Sequence, residues 1–467
     1  MLVRATRFDE AVALIEATEA ELHGLAPEGG KLPPEARVLL ARLAELRSIK
    51  SQLQADAVQA LQWAERGLAN ITWLPASYAN VASTRTRLYQ AAAAAAMILN
   101  DYPQARRMLN NALRVIQRHP HPVIEAELQL RQALLLQRTE QLRAAIRRFR
   151  TVLPQMEATG TRDRLAYVLL PGGQTLGFSG AYAEAEAWLT RGIQLGKETG
   201  SAFLVCAGLS VLCKLSIYTG KWESGLDYSA EGKLLAERHD LRWWFTQFLS
   251  HEGEIRLYRG EFVQATALFH QLQTYADQYP LYMALAQRYL AYAAFMQGRI
   301  GETVDYMRGS VIESTDITNS NQAFDVLGIA EWWVLLKAND VPVPHDEAVL
   351  KEAVANSIVF WQQRGYSSAL PYAWRVQVML DWYSNQLDRA FGAIQRGLSI
   401  ARQIGDIPEQ ARFLFWSAKI AFATNAADQG SSDLDAAARI FAALGAWPEY
   451  GRTQALALAP LERSIVL

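Results

Sequence analysis

Gly180-Ala-Tyr-Ala-Glu-Ala185, Gly220-Lys-Trp-Glu-Ser-Gly225 and Gly260-Glu-Phe-Val-Gln-Ala265 share one pattern: glycine, any residue, an aromatic, two variable residues and a tiny residue. Their glycines stand 40 residues apart. A fixed period of this size is the signature of a repeat architecture, in which each unit buries its apolar face against the next. Working outward, helix breakers continue the ladder in both directions. Turns inside helix pairs are expected near Asn100, Glu140, Gly180, Gly220, Gly260 and Gly298. Turns between pairs are expected near Pro120, Gly160, Gly200, Asp240, Pro280 and Ser320. Each half-step leaves room for a helix of roughly 14 to 16 residues and a short turn. Gly reaches φ > 0 and Pro stops propagation, so both belong at such helix ends.

The spacing slips around Val341-Pro-Val-Pro-His345 and recovers at Gly365, Gly405 and Gly445. The last within-pair turn, Asn425 to Ser432, reads as longer and polar. Before the ladder, residues 5–23 read as a helix with Phe8, Ala11, Leu14, Ile15 and Leu22 on one face. Gly24 to Pro34 reads as a loop, and residues 35–53 and 55–71 as the next helical pair. The domain reading is an N-terminal cap with first helices over 1–54, the repeats over 55–445, and a C-terminal cap and tail over 446–467. The final helix is expected over 447–462.

Composition agrees with helix almost throughout. The chain has 467 residues, too many for one ordinary core but suited to a solenoid, which grows without enlarging one. Hydrophobic residues make up 51% and charged residues 20%, which excludes a disordered chain. The net charge of −1 gives no bulk attraction to a polyanion. Locally, Val81 to Arg164 holds fourteen Arg and six acidic residues, led by Arg106, Arg107, Arg114, Arg118, Arg143, Arg147, Arg148 and Arg150. That stretch reads either as a solvated helical face or as a basic face for an acidic partner or nucleic acid. Cys206 and Cys213 are the only cysteines. On a helix their rise of about 10 Å exceeds disulfide reach. Two unbridged cysteines, no signal-like start and no apolar run of membrane-spanning length point to the cytoplasm, with no membrane role.

The register also predicts side-chain size. Five residues after each within-pair turn stand Ala105, Ala145, Ala185, Gly225, Ala265, Thr303 and, later, Ala390. Seven before it stand Ala93, Ala133, Gly173, Cys213, Gly253 and Ala291. These columns are where the two helices of a pair approach closely, and Cys213 falls in one of them. The pattern resembles the tetratricopeptide repeat. Gly173 and Gly253 match its small residue in helix A, and Ala185 and Ala265 its small residue at the start of helix B. Leu109, Phe149, Leu189 and Phe269 match its large apolar residue four places later. The resemblance covers most of 55–440, with a period of about 40 where the family usually has about 34. Repeats this long look like the superhelical sensor region of MalT-like regulators among the signal-transduction ATPases. Gln59 to Leu113, with Ala64-Glu-Arg-Gly-Leu68 before Tyr102-Pro-Gln-Ala-Arg106, is similar to the entry of such regions. Ile440-Phe-Ala-Ala-Leu-Gly445 is similar to their C-terminal ends. The nucleotide-binding module and DNA-binding domain of such regulators have no counterpart in this sequence, so those roles do not carry over.

Motifs for chemistry are missing. No phosphate loop exists; Gly172-Gly173-Gln-Thr-Leu-Gly177 follows no strand, and helix packing already requires Gly173. His251-Glu252 opens like a zinc-protease motif, but Ile255 stands where the second histidine belongs. No Cys-x2-Cys pair and no Gly-x-Ser-x-Gly elbow occur. No catalytic residue, cofactor or metal is therefore expected. Aromatics crowd the later repeats: of 47, only seven precede residue 161. Neighbouring residues on a helix point about 100° apart, so one of Trp243/Trp244 and one of Trp332/Trp333 should face a groove or a neighbouring repeat.

In the resembling fold the A helices line the concave wall. Reading one side of them gives Arg87, Gln90, Glu127, Gln137, Arg138, Tyr167, Gln174, Lys214, Gln247, Glu254, Arg288, Tyr292, Tyr372 and Arg375 as candidate binding residues. The expectation is an all-α solenoid, a right-handed superhelix of about ten antiparallel helix pairs. It is non-enzymatic and takes a protein or peptide partner, a small-molecule effector, or both in the concave groove. Its functional reading is the sensor region of a bacterial MalT-like transcriptional or signalling regulator. The rivals are a constitutive assembly scaffold and, further off, a nucleic-acid-binding solenoid.

Overall fold

The computed structural model describes residues 8–24, 32–54, 56–158, 162–279, 281–308, 312, 314–343 and 345–459. The expected breakers Gly160 and Pro280 fall outside them, as does most of the loop after Gly24. Among the described residues every regular element is an α-helix. The first seven are α1 (Phe8–Gly24), α2 (Pro34–Leu53), α3 (Ala57–Ile71), α4 (Val81–Ile98), α5 (Tyr102–Arg118), α6 (Pro122–Arg138) and α7 (Leu142–Ala158). The middle of the chain forms α8 (Arg162–Phe178), α9 (Tyr182–Glu198), α10 (Ala202–Thr219), α11 (Trp222–Arg238), α12 (Arg242–Tyr258), α13 (Phe262–Gln273), α14 (Leu281–Met296) and α15 (Ile300–Met307). The last seven are α16 (Ser320–Lys337), α17 (Glu347–Arg364), α18 (Leu370–Tyr383), α19 (Leu387–Ile404), α20 (Ile407–Ala423), α21 (Ala427–Leu444) and α22 (Trp447–Leu458).

The chain forms two compact units. Unit 1 comprises Met1–Thr175, Ala187–Gly208 and Arg238–Leu241; unit 2 comprises Leu176–Glu186, Leu209–Glu237 and Arg242–Leu467. Both are built the same way. An A helix packs on its own B helix and on the next A helix: α4 on α5 and α6 in unit 1, α18 on α19 and α20 in unit 2. A helices flanked on both sides are apolar most of the way round. One of them, α10, is the only described helix long and apolar enough to cross a membrane. It departs from the sequence expectation, yet 67% of it is buried in the protein and Lys214 interrupts it. B helices have one buried stripe, as in α5, where Ala105, Leu109, Ala112 and Ile116 are buried.

The two small-residue columns meet as expected. The Cys213 thiol donates to the Gly225 carbonyl at 3.2 Å, and Thr303 Oγ1 to the Ala291 carbonyl at 3.4 Å, each contact twelve residues across a turn. A Cβ on Gly253 would come 2.6 Å from the Phe269 ring. Both cysteines are buried and neither forms a disulfide.

Other expectations need correction. The turn after α20 is short, because α21 begins at Ala427 where a loop to Ser432 is expected. Gly430 extends the small-residue column there, 2.7 Å from the Phe422 ring at its Cβ position, and the polar residues around it face solvent. Conversely, α15 has only eight residues. The sequence after it, rich in Ser, Thr, Asp and β-branched residues, favours local side-chain bonds over helix, and Asn319 caps the start of α16 instead. Leu14 is 61% exposed and does not share the buried side of Ile15 and Leu22. The final helix ends at Leu458 rather than 462; residues beyond 459 lie outside the described ones.

The turns explain the glycines of the opening pattern. Within-pair turns adopt positive φ whether or not they carry glycine: Asn100, Glu140, Asp340, Asn385 and Asn425 do so as well. Backbone conformation alone therefore does not demand Gly180, Gly220 and Gly260. Packing inside unit 2 does. A Cβ on Gly180 would come 2.5 Å from Ile404, one on Gly220 2.4 Å from Leu444, and one on Gly260 3.0 Å from Pro448. The tips of three early hairpins thus seat against α19, α21 and α22. Ser368 adds hydrogen bonds to the Phe178 carbonyl from its N–H at 3.2 Å and its hydroxyl at 3.0 Å. Gly298, at the equivalent turn, has open space around its Cβ position. Gly220→Asn is expected to destabilise by about 1–3 kcal/mol through overpacking. Gly298→Asn, which keeps the same left-handed turn, should cost well under about 1 kcal/mol. Urea unfolding midpoints of the two variants check the difference.

Candidate functional site

The A helices of unit 2 carry a chain of ionisable side chains along their inner wall. Lys214 Nζ on α10 donates to Glu254 Oε2 on α12 at 2.7 Å. The Tyr258 hydroxyl adds a bond to Glu254 Oε1 at 3.2 Å, and Tyr289 on α14 donates to the same carboxylate. Further along, Arg375 on α18 bridges two neighbours: Nη1 reaches Glu331 Oε1 on α16 at 2.6 Å, and Nε reaches Glu409 Oε2 on α20 at 2.9 Å. Arg412 bonds the same Glu409 at 2.8 Å and reaches Glu449 on α22 at 3.1 Å. The Tyr372 hydroxyl donates to Glu331 Oε2 at 2.8 Å. Because the hairpin tips seat against α19 to α22, the two stretches of wall face each other. Arg412 on α20 lies over the Tyr258 ring of α12, 4.8 Å from its centroid.

Arg288 stands apart from this pairing. It rests on the Tyr289 ring, 5.4 Å from its centroid, and lies along Gly328, whose missing Cβ leaves 3.0 Å to the arginine stem. Lys214, Tyr218, Tyr258, Arg288, Tyr289, Tyr292 and Tyr372 are all half-buried. They are crowded by protein yet still reached by water.

Burial and charge set the protonation states. Burial opposes the charged forms of Glu254 and Glu409, but their cationic partners outweigh it and hold both carboxyls below the usual range. Lys214 is held well above its ordinary range, with Glu254 outweighing burial. His251, half-buried beside them, is pushed down to about 3 by burial first and by Lys214 second. A histidine depressed in the folded state stabilises it above about pH 6.5, and that stability is lost as pH falls toward 3. The lowered carboxyls act in the same direction below about 4.5. Stability is therefore expected to fall from pH 6.5 downward, and His251→Gln should flatten the upper part, between pH 6.5 and 4.5, by about 2 kcal/mol. Chemical denaturation across that range is the measurement.

The sequence-predicted residues divide into two groups. In unit 1 they tie consecutive A helices together. Gln90, buried, donates to the Ile124 carbonyl at 3.2 Å. Glu127 forms ion pairs with Arg164 at 2.9 Å and with Arg87 at 3.6 Å. Gln137 reaches Gln174 at 3.1 Å, and Tyr167 packs against the core. Arg138 is exposed at its helix end. In unit 2 the predicted Lys214, Glu254, Arg288, Tyr292, Tyr372 and Arg375 do come together, while Gln247 bonds the Tyr282 hydroxyl at 2.6 Å. Sequence reasoning missed Glu331, Glu409, Arg412, Glu449, Tyr258 and Tyr289. Their common signal is charged or tyrosyl residues on otherwise apolar A helices. At the slip in spacing, the His345 carbonyl accepts from Trp333 Nε1 at 3.0 Å. Trp332 and Trp333 are both buried, Trp332 against Tyr292 and Phe295 and Trp333 against Tyr383, so both face neighbouring repeats. Trp243 is 37% exposed and packs on Tyr279 and Tyr282. Among the described residues no group of His, Cys, Asp and Glu is placed to hold a metal ion.

Paired helices, A-on-A stacking and small-residue columns define a helical solenoid of the tetratricopeptide type. No protein-family model matches the chain, and no curated protein matches it. Among solved structures the chain is similar to a Rap protein complexed with competence and sporulation factor, at 10% identity and a TM-score of 0.60, over 78% of this chain and 98% of that one. It is also similar to a signal transduction ATPase with numerous domains carrying a tetratricopeptide repeat sensor, from Pyrococcus horikoshii. That match has 16% identity and a TM-score of 0.46, over 65% of this chain, which spans only 45% of that protein. A third, yeast Tom70, gives 11% identity and a TM-score of 0.31, over 90% of this chain and 95% of that one. These likenesses concern the fold.

Proposed function

We propose that the chain is a non-enzymatic recognition module whose inner wall in unit 2 binds an effector or a protein segment. The observation that carries this is the ladder Lys214–Glu254, Glu331–Arg375–Glu409–Arg412–Glu449 on helices that are otherwise apolar. A core needed only for stability gains little from buried ion pairs, which well-packed apolar residues often replace without loss. The same pairing argues against acid–base chemistry. Groups that transfer protons near neutral pH need pKa values near 7, whereas Glu254 and Glu409 are held low and Lys214 high. Two buried cysteines outside any disulfide suit a reducing cytoplasm.

Within this reading the chain is the sensor part of a MalT-like regulator. An effector would act on the contact between the hairpin tips and α19 to α22, through its different affinity for the seated and unseated arrangements. The test is calorimetry against a metabolite panel, alongside capture of partners, with Arg288→Ala and Tyr292→Ala as wall variants. Binding weakened tenfold or more by either variant, at unchanged thermal stability, supports the reading. Protein partners that bind without any metabolite and ignore both variants would make the chain a constitutive scaffold.

A further inference from the structure

The outer face of unit 1 carries a charge pattern that the inner wall does not explain. On α5 the exposed Arg106, Arg107, Arg114 and Arg118 stand with Asn110 and Gln117, and the helix contains no acidic residue. On α7, the next B helix, Arg143, Arg147 and Arg150 are exposed. Its one acid, Glu157, is already paired with Arg191 at 2.6 Å. Seven exposed arginines thus lie on two successive outer helices, which together contain one carboxylate of their own.

The fold does not require this. One and two repeats after Arg143, the same register position holds Ala183 and Glu223; after Arg147 it holds Ala187 and Asp227. Glu223 is 79% exposed. A B helix tolerates neutral or acidic residues at the places where α5 and α7 carry arginine.

We propose that this face binds the phosphate backbone of duplex nucleic acid without reading its sequence. Arginine presents a planar fork that matches phosphate oxygens, and the neighbouring Asn and Gln amides add donors of the kind that position a backbone. Neither helix exposes a large hydrophobic residue. The face therefore lacks the apolar anchors that dominate protein interfaces and those that insert into a membrane. It also lacks exposed aromatics on which unpaired bases would stack, which favours a duplex over a single strand. Arg107 and Arg118 lie about 16 Å apart along α5, enough to span several backbone charges.

The experiment is fluorescence anisotropy of the full chain with a short labelled DNA duplex, beginning near 50 mM salt. If about four phosphates are neutralised, log affinity should fall with log salt at a slope of about −3 to −4. Reversing Arg107, Arg114, Arg118 and Arg147 to Glu should weaken binding at least tenfold, while the same four changed to Lys should keep most of it. All four sites are exposed, and circular dichroism verifies that the variants fold. Three outcomes would overturn the proposal: no duplex binding at the lowest salt, binding that charge reversal leaves unchanged, or polyglutamate competing as well as duplex on an equal-charge basis. Self-association that charge reversal abolishes, in the absence of duplex binding, would assign the face to a second copy of the chain and equally sink it. Inner-wall variants such as Arg288→Ala should leave duplex affinity untouched, so this test and that of the effector reading fail independently.

Discussion

Arg375→Ala is expected to lower the unfolding free energy by about 3 to 5 kcal/mol. Arg375 is 5% exposed and forms the middle of the wall's longer ion chain, with Glu331 on one side and Glu409 on the other. The alanine removes one charge and takes a cationic partner from two carboxylates. Glu331 keeps only the Tyr372 hydroxyl and Glu409 only Arg412 among these partners. Desolvation that the pairing offset is then uncompensated. Arg162→Ala is the matching control: its pair with Glu198 is 67% exposed on the arginine side, and removal should change stability by less than about 1 kcal/mol. The deficit of Arg375→Ala should also shrink in acid. Arg375 is among the partners that hold the Glu409 carboxyl low, so this part of the native state's stability is present above about pH 4.5 and lost as pH falls through the folded value. Urea melts of wild type and variant at neutral and acid pH give both readings. An unchanged midpoint at neutral pH would show that water already solvates the wall.

Ala265→Trp should cost at least about 3 kcal/mol and drop the thermal midpoint sharply. Ala265 is fully buried where α13 meets α12, in the column opposite Gly253, whose own missing Cβ makes room for Phe269. An indole at that position forces the two helices of the repeat apart, and in a solenoid each repeat depends on its neighbours. Ala185→Trp should behave similarly, since Ala185 is also fully buried in the same column. Val263→Trp, two residues from Ala265 and 81% exposed, should leave stability nearly unchanged. A tolerated Ala265→Trp would mean that the helices of a pair are not held at close approach.

Both predictions separate what is local from what is not. The repeat was legible because its determinants lie within a few residues of each other. Breakers at a 40-residue pitch place the turns, and small residues at fixed offsets from them place the close approaches; Cys213, Gly225, Ala291 and Thr303 meet as the offsets require. The helical class was legible for the same reason. The candidate site was legible only in part. Lys214, Glu254, Arg288, Tyr292, Tyr372 and Arg375 could be found as polar residues on A helices. Their partners on α16, α20 and α22 could not, because ion pairing between residues 34 to 44 positions apart is set by how the helices pack and not by the pattern within any one of them.

What the amino-acid sequence by itself determined was the unit: a helix pair, its length, its turns and its small-residue contacts, all set by dihedral preference and local sterics. What only the tertiary structure decided was the reason for glycine at 180, 220 and 260. Asn, Asp and Glu take the same positive φ at other turns, so the backbone permits alternatives. Ile404, Leu444 and Pro448 do not, because they occupy the space a Cβ would need. That contact joins residues some 190 to 220 positions apart. No local propensity encodes it, and it turns one run of repeats into a wall of paired charges facing itself.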